Sequence, residues 1–171
     1  MRIKFLKTIL FSLLAIFTIS HSAKADGGLV LSGGDFNFMQ KNPNNRSHSM
    51  FQADYNYSQV LWSSPIGDFK PQTGFLTTDK LETMAYAGVR LDWKFFNNTL
   101  LISPSFTPGY YAPGDGKRLG YSLEFKSQLR AAVYVTPTFD IGASINHISN
   151  AGLGSKNPGA NNFSINIEKI F

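Results

Sequence analysis

From residue 29 onward the chain repeatedly places apolar side chains at every second position with polar ones between them. That is the period of a β-strand whose two faces meet different surroundings. The clearest stretch is 121–133, where Tyr121, Leu123, Phe125, Leu129 and Val133 oppose Ser122, Glu124, Lys126, Gln128 and Arg130. Residues 85–95 set Ala85, Ala87, Val89, Leu91, Trp93 and Phe95 against Tyr86, Arg90, Asp92 and Lys94. Residues 51–57 set Phe51, Ala53, Tyr55 and Tyr57 against Gln52, Asp54 and Asn56. The last stretch sets Phe163, Ile165, Ile167 and Phe171 against Ser164, Asn166 and Glu168, with Lys169 the one misfit. Weaker alternation covers 29–39, 69–77 and 100–107. An eighth strand, 139–149, carries Phe139, Ile141, Ala143, Ile145, His147 and Ser149 on one face, and Asp140, Gly142, Ser144, Asn146 and Ile148 on the other.

Alternation alone does not say which face is wet. A soluble sandwich would hide the apolar rows, whereas a small membrane barrel turns them to lipid and packs the polar rows inside. There Asp54, Arg90, Asp92, Glu124, Lys126 and Arg130 can pair. Three features favour the membrane. Arg2, Lys4 and Lys7 precede an apolar run at 8–19 that is too short to span a bilayer, and Ala23-Lys24-Ala25 has the small-x-small pattern of a signal-peptidase site. The chain therefore reads as a signal peptide at 1–25 followed by a barrel domain at 26–171. It ends on an aromatic, Phe171, at the tip of an amphipathic strand, a C-terminus suited to recognition by the barrel-assembly machinery. Connectors are also asymmetric: turns near 65–67, 97–98 and 136–138 alternate with outer loops near 41–48, 110–118 and 150–161. Trp62, Phe69, Trp93, Phe95, Tyr134, Phe139 and Phe171 fall at the turn end and read as an aromatic girdle. The expected fold is an all-β, eight-stranded antiparallel transmembrane β-barrel in a bacterial outer membrane. Both mature termini are periplasmic, and the interior is filled by side chains rather than open as a pore.

Removing the leader changes the charge. The whole chain has 16 basic and 11 acidic residues, a net of +5, but Arg2, Lys4, Lys7 and Lys24 leave with residues 1–25, so the balance becomes 12 to 11. The basic excess belongs to export and gives no support to nucleic-acid binding. Cysteine is absent, which removes disulfides, thiolate chemistry and Cys-ligated metal. Only His48 and His147 remain beyond the leader, too few for a His-rich metal site, and no cofactor is expected.

His147 and Ser149 carry the candidate chemistry. They share the apolar face of one strand with Cα atoms about 6.6 Å apart, so the two side chains can lean together as a base and a nucleophile. In a barrel both face lipid, a place for chemistry only if the substrate is itself a lipid. Parity on the returning strand puts Asn161 on the same face, nearly opposite His147 at the top of one hairpin. The bland alternative is that all three are ordinary interfacial residues near a barrel rim.

Residues 146–159 (NHISNAGLGSKNPG) closely resemble the signature of the PagL lipid A 3-O-deacylase family of outer-membrane barrels. Residues 104–127 (PSFTPGYYAPGDGKRLGYSLEFKS) and 69–79 are similar to its central and earlier segments, so the resemblance spans about 69–171. It implies Ser149 as nucleophile, His147 as general base, and Asn150 and Gly152 at the positions that bind the oxyanion. The family's third triad member is a Glu just after the Asn-Pro-Gly; that position here is Asn161. Glu168, further down the strand, should point inward, and Asp115, on an outer loop, is a remote substitute.

The function implied is a serine esterase that removes a 3-linked acyl chain from lipid A, with lipopolysaccharide of the outer leaflet as partner and no metal or cofactor. A homodimer is left open. The competing reading is a weak or inactive relative that binds lipopolysaccharide or serves the envelope structurally. The topology is checked by placing a cysteine at Asn44: on intact cells it should react with a membrane-impermeant maleimide, and full protection would invert the barrel.

Overall fold

The computed structural model describes residues 26–40 and 47–171. The leader at 1–25 and most of the first outer loop lie outside the described residues. In chain order the strands are β1 (Gly27–Phe36), β2 (His48–Tyr57), β3 (Trp62–Ser64), β4 (Gly67–Thr78), β5 (Thr83–Arg90), β6 (Trp93–Phe95), β7 (Leu100–Ala112), β8 (Leu123–Thr136), β9 (Phe139–Ser149) and β10 (Ala160–Ile170). Eight of them form the wall of a closed antiparallel barrel, and the order β2-β1-β10-β9-β8-β7-β5-β4 is closed by β2 pairing with β4. Contact between first and last strands runs from Gly28↔Ile170 to Asp35↔Phe163. Closure leaves no wall strand with a free edge, which a bilayer would not tolerate.

The faces are inverted relative to a soluble sheet, as the barrel reading of the sequence expects. Leu129, Ile145 and Ile165 are 44%, 53% and 54% exposed, while Arg130 is 3% and Lys126 0% exposed. Most of the buried charges of the barrel wall are paired, Glu124 excepted. Arg130 bonds Glu168 at 2.8 Å and Asn166 at 2.7 Å and forms an ion pair with Asp140. Asn56 donates to the second Glu168 oxygen at 2.9 Å. Further up, Lys126 lies 3.9 Å from Asp54 and 4.2 Å from the centre of the Tyr86 ring, whose hydroxyl donates to Asp54 at 2.7 Å. Asp92 takes Arg90 and Lys70 nearer the turn end. Lys169 sits where its ammonium reaches Thr138 in the adjacent turn at 3.2 Å, which accommodates a cation on the apolar row.

Several details differ from the sequence reading. The strand expected at 85–95 is written as β5 and β6, yet the pairing on β7 keeps one register from Thr83↔Ala112 to Phe95↔Leu100. Leu91 N–H still donates to the Pro104 carbonyl at 2.9 Å, but Pro104 has no N–H to return, so the ladder thins there. Strand β7 runs on past the alternation at 100–107, through Pro108 and Gly109 and into the loop expected near 110–118; Gly109 has no side chain to collide with the Tyr86 Cβ, 2.6 Å from where its own would be. The second outer connector consequently spans 113–122. The turn near 65–67 belongs to an added hairpin, β3 on β4, with Trp62 stacked on Phe69 at 4.7 Å. Tyr134 does not join the lipid-facing girdle. It pairs with Asp140 on the inward row of β8, and Lys94 lies 5.2 Å from its ring centre.

The interior is not polar throughout. Towards the outer end the inward positions hold Phe36, Met50, Leu76, Met84, Tyr86, Tyr111, Leu119, Ile148 and Ala160, a buried apolar plug. Arg130 is the cation that three inward strands share. Arg130→Met should therefore destabilise the barrel by about 3–5 kcal/mol, because Asp140 and Glu168 would be left buried and unpaired. Urea unfolding in micelles would read the change, and a variant as stable as wild type would show the network to be dispensable.

Candidate active site

Strand β9 presents the site. Its alternation buries Ser144, Asn146, Ile148 and Asn150 and leaves Ile145 and His147 exposed, with Ser149 half-buried on the same outward face. The β9–β10 ladder pairs His147 with Asn161, as the parity of the two strands predicts. Their side chains meet: His147 Nδ1 lies 2.8 Å from Asn161 Oδ1. An amide oxygen can only accept, so Nδ1 carries the hydrogen and donates, leaving Nε2 with the lone pair in the neutral ring.

Gly159 shows which way that nitrogen faces. It has φ +53°, and a Cβ there would fall 2.8 Å from His147 Cε1 and 3.3 Å from Nε2. Gly159 belongs to the outer connector, so the Cε1–Nε2 side of the ring lies against that connector, at the end of the barrel where Ser149 also lies. Among the described residues no hydrogen bond joins His147 to Ser149 in this state. Such contacts are often long before substrate arrives.

Asn150 follows Ser149 directly and Gly152 stands three residues on, but their polar groups are already engaged. Asn150 is fully buried. Its Nδ2 donates to the carbonyls of Leu119 at 2.9 Å and Lys156 at 2.8 Å, and its Oδ1 accepts from Gly152 N–H at 3.0 Å. Its own N–H donates to Asn157 Oδ1 at 3.2 Å. Asn150 thus braces its own loop against loop 113–122. Ala151 and Gly152 both take left-handed φ values, 54° and 82°, which form the tight turn that returns the Gly152 N–H to the brace.

Of the other acids, Glu168 points inward to Arg130, and Asp115 is tied through its N–H to Lys80 O at 2.9 Å on the far limb of its loop. The ladder also brings up a residue the sequence reading passed over. Ser127 stands opposite His147 on β8, and its odd number already placed it on that strand's outward row. Phe125, opposite Ser149, stacks on Phe106 with centroids 5.7 Å apart, while Phe38 packs edge-on to Phe163 at 6.3 Å on the other side of the site. Beneath the loops, Glu82 accepts from the Lys117 N–H at 2.8 Å and bonds His48 Nε2 at 2.8 Å. Burial pushes the Lys117 ammonium below the usual lysine range, with Glu82 opposing the shift.

A model of the PagL family, described as lipid A 3-O-deacylase, matches residues 36–169. The chain belongs to this family. It is an outer-membrane β-barrel of the lipid A deacylase type. Among solved structures, that of the outer membrane enzyme PagL is similar over 84% of this chain and 99% of its own, with 16% identity and a TM-score of 0.66. A de novo designed transmembrane β-barrel is similar at 12% identity and TM-score 0.55, over 88% of this chain and 100% of its own. Neisserial surface protein A is similar at 11% identity and TM-score 0.51, with the same coverage. At these identities the structures show a shared fold. No curated protein matches the chain.

Within this family member, Gly159 leaves the space that His147 occupies. Gly159→Ala should displace the imidazole by roughly an ångström and lower any ester hydrolysis that His147 drives by about 10–100-fold. Heat-modifiable gel mobility would confirm that the barrel is intact. Full activity in a folded Gly159→Ala protein would show that the ring is not held there for chemistry.

Proposed function

We propose that this barrel is a serine esterase that removes the 3-linked acyl chain of lipid A in the outer leaflet. The observation that carries the reading is the His147–Asn161 hydrogen bond of 2.8 Å on the lipid-facing wall, beside an outward Ser149. A soluble substrate would have no reason to approach that wall. A lipid whose ester lies at headgroup height reaches it by lateral diffusion.

Ser149 Oγ attacks the ester carbonyl as His147 Nε2 takes its proton. The tetrahedral intermediate then collapses, leaving an acyl group on Ser149, and the imidazolium returns its proton to the departing sugar hydroxyl. Water, deprotonated by the same nitrogen, attacks the acyl-serine and releases the fatty acid. No metal enters these steps. The turn at 150–152 supplies the N–H groups for the oxyanion. To do so the Asn150 N–H must leave Asn157 Oδ1 and the Gly152 N–H must leave Asn150 Oδ1, and an oxyanion is the stronger acceptor. Phe171, the last residue of an outward row, serves recognition by the assembly machinery.

The rival reading, a slow or silent relative that holds lipopolysaccharide, is favoured by one specific feature. Asn161 can orient the imidazole but brings no negative charge to stabilise the imidazolium. An equivalent acid-to-amide change in a serine protease costs about 10⁴ in turnover; lipid esters are more reactive than amides, so the cost here is smaller. Asn161→Glu should raise the rate by about one to three orders of magnitude, roughly 1.4–4 kcal/mol of barrier. Ser149→Ala and His147→Ala should each abolish deacylation and leave the barrel folded, since both side chains lie outside the packed interior. Mass spectrometry of lipid A from expressing cells reads all four proteins. A folded Asn161→Glu protein no faster than wild type, with Ser149→Ala equally inert, would favour the binding role.

A further inference from the structure

We propose that Arg118 and Lys156 form a phosphate-binding pair beside Ser149, taking a phosphate monoester on the sugar headgroup of the lipid substrate. The proposal rests on the esterase reading and adds to it the groups that hold the headgroup.

Two outer loops meet at one nitrogen. Asn150 Nδ2 donates to Leu119 O at 2.9 Å and to Lys156 O at 2.8 Å, one residue along the chain from Ser149. The seam is tight: Gly120 closes on the Lys156 carbonyl, and a Cβ at Gly154 would fall 2.8 Å from Gly120 O. Loop 113–122 is also anchored in the barrel mouth. Lys117 Nζ donates to Asn37 Oδ1 at 2.9 Å, Tyr111 OH donates to Lys117 O at 2.7 Å, and Leu119 is buried in the apolar plug. With Lys117 and Leu119 turned inward, Arg118 between them is turned out, and it is exposed. Lys156 is exposed as well, and among the described residues neither cation has a side-chain hydrogen bond or an ion pair.

The fold therefore presents an unpaired guanidinium and an unpaired ammonium from two loops braced together next to the nucleophile. A guanidinium fork matches two oxygens of a phosphate, and an ammonium adds a second charge. Among the described residues the third exposed cation at this end is Lys80, which lies on the connector 79–82 beside Asp79 and is joined to the opposite limb of loop 113–122 through Asp115 N–H. It serves as a control.

The test compares hydrolysis of phosphorylated and dephosphorylated lipid A in mixed micelles by wild type, Lys80→Gln and the Arg118→Gln/Lys156→Gln double variant. On the phosphorylated lipid the double variant should raise KM by about tenfold with kcat within about twofold, as exposed charge contacts allow. On the dephosphorylated lipid it should match wild type, and Lys80→Gln should match wild type on both. Equal losses on the two lipids would overturn the pair. So would inhibition of wild type by inorganic phosphate together with equal KM values for the two lipids, which would mark a site for the free anion. Binding of both lipids to Ser149→Ala barrels with and without the double substitution separates this proposal from the esterase reading. A Kd for phosphorylated lipid about tenfold weaker only when the cations are gone supports the pair even if no turnover is seen. An unchanged Kd overturns it whatever the enzyme does.

Discussion

Backbone pairing in a medium without water governs this structure. An N–H or C=O exposed to lipid has nothing to bond, so the first strand must find the last, and Gly28–Asp35 lies along Phe163–Ile170 to close the ring. Once closed, each strand has only an inside and an outside, and the side-chain period of two assigns every residue to one of them. The inside must then satisfy its own charges. The Arg130–Asp140–Glu168 and Lys126–Asp54–Tyr86 groups do this by pairing across strands far apart in sequence.

The same constraint places the chemistry. His147 and Ser149 lie on the outside because Ile145 does. A conventional active site buries its base and nucleophile in a cleft; in the esterase reading proposed above, the membrane replaces the cleft, bringing the substrate and diluting water. The weak element is electrostatic. Asn161 fixes the tautomer of His147 through one hydrogen bond, yet in a low-dielectric setting an imidazolium gains most from a nearby negative charge. Holding the ring in place and stabilising its charge are separate tasks, and only the first is done by a group in contact with it.

The outer mouth links the site to the interior. Leu119 joins the plug, its carbonyl accepts from Asn150, and Asn150 is covalently next to Ser149. The loop after Ser149 is therefore positioned by packing inside the barrel, although Ser149 itself faces out. This arrangement makes Asn150 a brace whose amide is fully engaged, and it gives exposed loop residues such as Arg118 a fixed direction.

The sequence by itself determined the class of fold, the inverted faces, and the shared outward face of His147, Ser149 and Asn161. The shared face follows from a period of two; the class of fold and the direction of the faces needed the leader pattern and the uneven connectors as well. It also carried the family signature at 146–159, because those residues are contiguous. Register and loops were decided only by the tertiary structure. Pairing of Ser127 with His147 depends on how β8 slides along β9, and a shift of one residue would have sent it to the opposite face. The break at Leu91 and the passage of β7 through Gly109 depend on which carbonyl or ring stands opposite a proline or glycine. The apolar plug was not visible because inward positions read as polar when averaged along a strand, and only closure gathers Phe36, Leu76, Leu119 and Ile148 at one end. Likewise the bracing role of the Asn150 side chain was not legible, because the fold brings Leu119 and Lys156 to its amide through contacts that bridge 31 and 6 residues of chain and leave no local trace.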